Sequence, residues 1–142
     1  MAGVVGFDHV ALPTERPAEM LRFYRALGFG GPDPAAFSDR EEKFFSVHFG
    51  DQKINFHGPE LWQNEKFDLR GPAARPGCGD LCFVWEGGLD ALRKRLEVAG
   101  AEVEAGPMDM IGGRDGGRGR GTSIYTRDPD RNLIEFILYE KS

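Results

Sequence analysis

The chain has few cysteines, few histidines and no basic surplus. Of its 142 residues only two are cysteine, Cys78 and Cys82, and three are histidine. On one extended strand the two thiols would stand about 13 Å apart, at about 3.3 Å per residue, which is too far to bridge and excludes a disulfide scaffold. Eighteen Lys and Arg against 23 Asp and Glu give a net charge of −5, which argues against a nucleic-acid partner. No apolar run approaches the roughly 20 residues of a membrane span. Met1–Val10 has neither the basic start nor the apolar stretch of a secretion signal. The expectation is a soluble, cytoplasmic protein with no membrane or nucleic-acid partner. What the chain has in plenty is punctuation, 20 Gly and 9 Pro, and core material, 11 Phe and 2 Trp. A length of 142 residues is ordinary for one domain with a real core.

The punctuation divides the chain into two similar halves. Residues 6–12 read as a strand, Pro17 suits a first helical position, and Met20, Phe23, Tyr24 and Leu27 recur at helical spacing before Gly28. A strand near Gly30–Phe37 is expected next, then a hairpin of Phe44–Phe49 and Gln52–His57 about Gly50-Asp51. The second half repeats the order: strand Asp80–Trp85, helix Leu89–Ala99, Gly100, strand Ala101–Ala105, and a hairpin of Thr122–Arg127 and Arg131–Tyr139. Gly28 follows His9 by 19 residues and Gly100 follows Asp80 by 20, so the halves superpose. The fold class expected is α+β: two βαβββ modules, at about 4–58 and 79–140, joined by a connector at about 59–78 and forming one cup-shaped mixed sheet. Leu61, Trp62 and Phe67 of the connector can cover apolar surface.

Superposition sets His9 against Asp80 on the first strands and His57 against Glu135 on the last. Imidazole and carboxylate suit a hard or borderline divalent ion, and neither cysteine is needed. In each strand the apolar neighbours alternate with the candidate ligand, so the ligand faces away from the helices. Taken singly, each of the four is an ordinary strand residue. Taken together, two of three histidines at matching positions point to a metal site. The counterpart of His48 is Thr126, which gives it no metal role, so His48 reads as structural or surface, and Cys82 as packing. Asn55 shares the face of His57 and is a candidate substrate contact. Gly112–Gly121 contains Arg114, Arg118 and Arg120; without a following GK[ST] it is not a phosphate loop. It reads as a flexible lid in which Arg118 or Arg120 meets substrate, or as a plain surface loop.

The segments FDHVAL, FYRALGF, GDQKINFH, GDLCFVW and SIYTRDPDRNLIEF resemble the glyoxalase/bleomycin-resistance/dioxygenase superfamily, the vicinal oxygen chelate proteins, over nearly the whole chain. The resemblance implies paired βαβββ modules, a metal ligand at each of His9, His57, Asp80 and Glu135, and a homodimer. It implies one divalent ion per site, Ni, Co, Zn, Mn or Fe, with Glu135 as general base. In members that isomerise glutathione hemithioacetals the second of these positions is usually a carboxylate and the third His or Glu; here they are His57 and Asp80. The function expected is a metal-dependent lyase or isomerase of the glyoxalase type, acting on a small substrate with vicinal oxygens. The alternatives are an Fe(II) ring-cleaving dioxygenase and a non-catalytic binding protein of the bleomycin-resistance kind.

Overall fold

A computed structural model describes residues 2–139; residue 140, the expected end of the second module, lies outside the described residues. The fold is α+β with two open mixed sheets. In the first half β1 (His9–Pro13) leads to α1 (Pro17–Ala26), a 3-10 turn at Pro34–Ala36, α2 (Asp39–Lys43), β2 (Phe44–Phe49) and β3 (Gln52–His57). α3 (Pro59–Trp62) opens the connector. The second half comprises β4 (Asp80–Val84), α4 (Leu89–Val98), β5 (Ala105–Gly112), β6 (Gly119–Arg127) and β7 (Leu133–Tyr139). The sheet orders are β1-β3-β2 and β4-β7-β6-β5, with the first strand parallel to the last in each half and the other pairs antiparallel. Among the described residues no helix is long and apolar enough to cross a membrane.

Two expected strands differ. The strand near Gly30–Phe37 shrinks to a single bridge between Gly30 and His48. Pro32 and Pro34 remove donors there and Asp33 caps the 3-10 turn through Ala35 N–H (2.9 Å), so the ladder stops after one step. A Cβ at Gly30 would overlap the His48 ring, which gives that histidine a structural seat. In the second half the corresponding strand starts at Ala105, where the sequence reading ends it, because the chain from Ala101 to Glu104 carries three exposed residues and no ladder.

Period-two alternation places Val10, Leu12, Ile54, Phe56, Phe83, Ile124, Ile134 and Phe136 on the helix-facing side, where one cluster joins both halves. Phe83 is the hub: its ring lies 5.0 Å from Phe29 and 5.3 Å from Phe49, both nearly perpendicular, and 5.8 Å from Phe136. Such edge-to-face pairs add to burial.

A polar clip joins the halves beside this cluster. The turn between β6 and β7, Asp128 to Asn132, reaches α1. Tyr24 Oη donates to Asp128 Oδ2 (2.7 Å), and Asn132 donates to the same oxygen from Nδ2 (2.8 Å) and to Oδ1 from its backbone N–H (3.0 Å). Asn132 Oδ1 in turn accepts from Gly79 N–H (2.7 Å), fixing the start of β4. Tyr24, Asp128 and Asn132 are 0, 4 and 1% exposed, so every donor depends on the clip. Burial pushes the Asp128 carboxyl above its ordinary range, against the lowering effect of these hydrogen bonds.

The expected lid is no free loop. Residues 112–121 are the end of β5, a turn at Arg114–Gly117 in which Asp115 and Gly116 take left-handed backbone (φ +52° and +63°), and the start of β6. A Cβ at Gly112 or Gly119 would strike the Tyr139 ring, and one at Gly121 would meet Ile137 Cγ1 at 2.8 Å. The glycines therefore make a seat for Ile137 and Tyr139. The Arg114 guanidinium lies 4.4 Å from the centre of the Tyr139 ring, and its backbone N–H donates to Tyr139 Oη (3.3 Å).

Asp128→Asn should lower stability by about 1–3 kcal/mol, because the new amide NH2 meets the Asn132 N–H donor. As a raised acid, Asp128 contributes most below the ordinary Asp range and loses that contribution as pH climbs through its folded value. Urea denaturation should accordingly show a deficit that shrinks with rising pH; a deficit that grows would contradict the clip. Arg114→Ala should speed amide exchange across 113–118 by about 2- to 5-fold, the worth of one exposed cation–π contact. Unchanged exchange there would show that Tyr139 does not hold the turn.

Candidate functional site

The face of each sheet turned away from the helices carries the polar residues, and strand register decides which of them meet. In the first sheet His9 lies opposite Lys53, Ala11 opposite Asn55 and Pro13 opposite His57. His57 is four positions beyond the partner of His9, roughly 13 Å along the strand at about 3.3 Å per residue. The expected pairing of these two histidines around one ion is therefore not what the register brings together. The half-buried His57 ring instead packs against Phe44 (5.8 Å) and edge-on against Phe67 of the connector (5.4 Å). Burial, then the nearby Arg70 charge, lowers its pKa and keeps the ring neutral. His9 Nδ1 makes a 2.6 Å contact with Asp8 Oδ1, and its side chain is 46% exposed.

In the second sheet Asp80 lies opposite Leu133, and Glu135 sits between Cys82 on one side and Tyr125 on the other. Matching Asp80 to His9 matches Cys82 to Ala11, so the counterpart of Glu135 is Asn55, not His57. The two halves even share a polar contact: Ser46 Oγ donates to Asn55 Oδ1 (2.7 Å) and Ser123 Oγ to Glu135 Oε2 (2.6 Å). Asn55 thus has its oxygen engaged across the strand while its NH2 stays available.

Asp80, Cys82, Tyr125 and Glu135 form one electrostatic unit. The Cys82 thiol is pushed up to about 12, first by burial and then by Glu135 and Asp80, so it stays protonated. Tyr125 is likewise raised, by burial and then by Glu135, Cys82 and Asp80, and remains a hydroxyl donor. None of the ion pairs among the described residues involves Asp80 or Glu135. Ser123 and Tyr125 were not singled out by the sequence reading. Their alternation with Ile124 is visible there, but their meeting with Glu135 depends on the β6–β7 register.

The arginines do not reach this face. Arg118 pairs with Asp115 (3.6 Å) on the exposed turn. Arg120 falls, by alternation, on the Ile124 side of β6, where it lines a hollow with Asp109 and Ile111. Their expected role as substrate contacts therefore lacks a place beside Glu135.

Between β1 and β4 runs a cavity of about 590 Å³ lined by Val10, Phe29, Phe49, Phe83 and Trp85, with Lys53 and Asp80 as its charged residues. Among the described residues no three of His, Cys, Asp and Glu are already gathered as a metal cage. The donor chemistry nonetheless suits a divalent ion: two carboxyl groups on one face without a cationic partner, and the His9 imidazole on the first strand of the other half. His57, held between two rings, fits that set poorly.

The sequence from 6 to 136 matches the family model described as the Glyoxalase/Bleomycin resistance protein/Dioxygenase superfamily. The chain is 33% identical to the virulence protein STM3117 of Salmonella typhimurium over 93% of its own length and 83% of that protein. It is 32% identical to the glyoxalase domain-containing protein RDO1 of Mycosarcoma maydis, over 96% of its own length and 70% of that protein. Among solved structures, an integron cassette protein from the mobile metagenome of V. cholerae superposes with a TM-score of 0.79 at 31% identity, covering 99% of both chains. With its paired first and last strands and a family match that spans both halves, the chain belongs to the glyoxalase/bleomycin resistance/dioxygenase superfamily.

Proposed function

We propose that this protein is a divalent-metal-dependent lyase or isomerase of the glyoxalase type, a cytoplasmic homodimer acting on a small substrate with two neighbouring oxygens. The observation that carries the reading is the pair of carboxyl groups, Asp80 and Glu135, on one open sheet face with no cationic partner among the described residues. Both cysteines are free, in keeping with a reducing compartment.

His9, Asp80 and Glu135 would hold the ion. When bound, a divalent ion supplies Lewis-acid stabilisation of charge developing on a substrate oxygen. The remaining steps fall to side chains. Ser123 holds Glu135 Oε2, which leaves Oε1 to take a proton from the carbon next to a carbonyl and return it to the neighbouring carbon. Tyr125, directly across from Glu135 and kept protonated by its neighbours, donates a hydrogen bond to a substrate oxygen. Cys82, kept protonated first by burial and then by both carboxyl groups, is no nucleophile. Asn55 offers its NH2 from the opposite sheet to orient the substrate.

A second reading, a metal-free binding protein of the bleomycin-resistance kind, is favoured by the aromatic lining of the cavity between β1 and β4, which can hold an apolar ligand without any ion.

Elemental analysis of chelator-stripped protein re-equilibrated with Ni, Co, Mn, Zn or Fe(II) separates the two. About one ion per chain is expected, with a rise in melting temperature on loading. Glu135→Ala and Asp80→Asn should each weaken metal binding by at least about 10-fold, and His57→Ala should retain it. Stoichiometric loading would send the protein to hemithioacetals of methylglyoxal, and then to catechols, as substrates. No loading with any of the five metals would sink the metal-dependent reading and leave the binding protein.

A further inference from the structure

The floor of the cavity between β1 and β4 is aromatic: Phe29, Phe83 and Phe136 line it, and all three are buried members of the helix-facing cluster. The cavity is therefore a slot that runs behind the open face, round the unpaired edge of β4. Asp80 is common to the slot and to the open face. At about 590 Å³ the slot has the size of a small-molecule pocket, roughly 300–1,000 Å³. Its polar groups are few, and most are engaged. The Trp85 indole N–H donates to Gly88 O (3.2 Å), and the Gln52 amide donates to Phe7 O (3.1 Å), which holds Phe7 beside the slot. Asp80 has a task in holding the ion proposed above. Lys53 has none: it is half-buried, lies opposite His9 in the β1–β3 ladder and enters no ion pair among the described residues. A partly desolvated cation on an otherwise apolar slot is a recognition group for an anion.

We propose that the slot takes the non-reacting end of the substrate, an aromatic or branched apolar group, and that Lys53 pairs with a carboxylate on the same molecule. This names the substrate class of the site described above, and it rests on that reading for the reacting end, which reaches the open face past Asp80. The apolar group and the carboxylate follow from the slot alone. A large polar tail carrying several charges, such as that of glutathione, would find one cation and an aromatic floor here, and would leave its other charges unpaired. The fitting substrates are small aromatic or branched-chain acids.

Titration of chelator-treated full chain with naphthalene carboxylate, naphthalene carboxamide and naphthylmethylamine tests this, read by calorimetry and by the indole N–H signals in nitrogen–proton NMR. The chain has two tryptophans: Trp85 lines the slot, whereas Trp62 donates to Thr14 O outside it. The carboxylate should shift the Trp85 signal and leave that of Trp62 in place. It should bind at least about 5-fold tighter than the amide, the strength of one hydrogen bond to a charged group less the repulsion of Asp80. Lys53→Met should remove that preference without weakening the amide, and Asp80→Asn should tighten the carboxylate about 2- to 5-fold by relieving a like charge. Neither side chain belongs to the core, so circular dichroism of both variants should match the wild type. A Trp85 signal unmoved by all three probes would overturn the slot as a binding site. Equal affinity for carboxylate and amide, tightest binding of the amine, or a Lys53→Met variant that keeps the preference would overturn the role of Lys53 and with it the substrate class. No ion is present in these titrations, so a failed slot leaves the metal-loading result standing, and a protein that loads no metal can still fill the slot.

Discussion

The parallel pairing of the last strand with the first, made once in each half, is the constraint on which the open face depends. Parallel partners cannot be joined by a tight turn, so a long crossover, here one that carries a helix and at least one antiparallel strand, must come between them. That requirement puts α1 and α4 on the same sides of their sheets and leaves the opposite faces bare. It also fixes which residues lie side by side. Cys82 meets Glu135 and Ala11 meets Asn55 because β4 runs along β7, and β1 along β3, in the same register. A slip of one residue would turn Glu135 into the Phe83–Phe136 cluster and bring Ile134 out. The aromatic hub and the carboxyl patch are thus two faces of one pairing.

The segment Arg127–Glu135 does two jobs with one stretch of chain. Its turn, closed by Asp128 and Asn132, is the clip to Tyr24, while its strand carries Glu135. Arg131 sits at φ +72°, a left-handed position usually filled by glycine, so the tight return is held by the Asp128–Asn132 bonds against local backbone preference. Asp130 adds a second tie to the first half by accepting from Glu15 N–H (3.2 Å). The clip sits at the end of the very strand whose register matters, where a fixed turn is most effective at preventing slippage. Tyr139 and its arginine cover do the corresponding work at the other end of β7.

How much of this could be read beforehand follows from what each signal reports. The helices and paired hairpins were legible because Met20, Phe23, Tyr24 and Leu27, or Leu89, Leu92 and Leu96, print a 3.6-residue period that survives without knowledge of the partner. The duplication was legible from the glycines that close both helices. Register was not, since period-two alternation tells the face of His57 and nothing about its distance from His9. The strand expected near Gly30–Phe37 failed for a local reason, the two prolines, whose cost outweighed a short apolar run. The loop 112–121 was read as mobile because glycine is flexible by default; its glycines turn out to be absences that make room for Tyr139 and Ile137. Composition cannot distinguish a glycine chosen for freedom from one chosen for its missing Cβ.

The electrostatics of the open face narrow what can occupy it. Burial first, and then the neighbouring Glu135 and Asp80 carboxyl groups, raise the Cys82 thiol, so no further negative charge forms at Cys82. Arg118 and Arg120, the cations that a loop reading would have offered to an anionic substrate, are turned elsewhere. Lys53 lines the neighbouring cavity, which Asp80 also lines. An anion approaching Glu135 therefore meets two carboxyl groups on one face with no cation paired to either among the described residues, and Tyr125 and Cys82 directly across from Glu135. A neutral molecule bearing two oxygens escapes that penalty, and so does an anion that arrives together with a cation. The same charge arrangement that makes a divalent ion chemically suited to this face thus argues that, without one, the face prefers uncharged ligands.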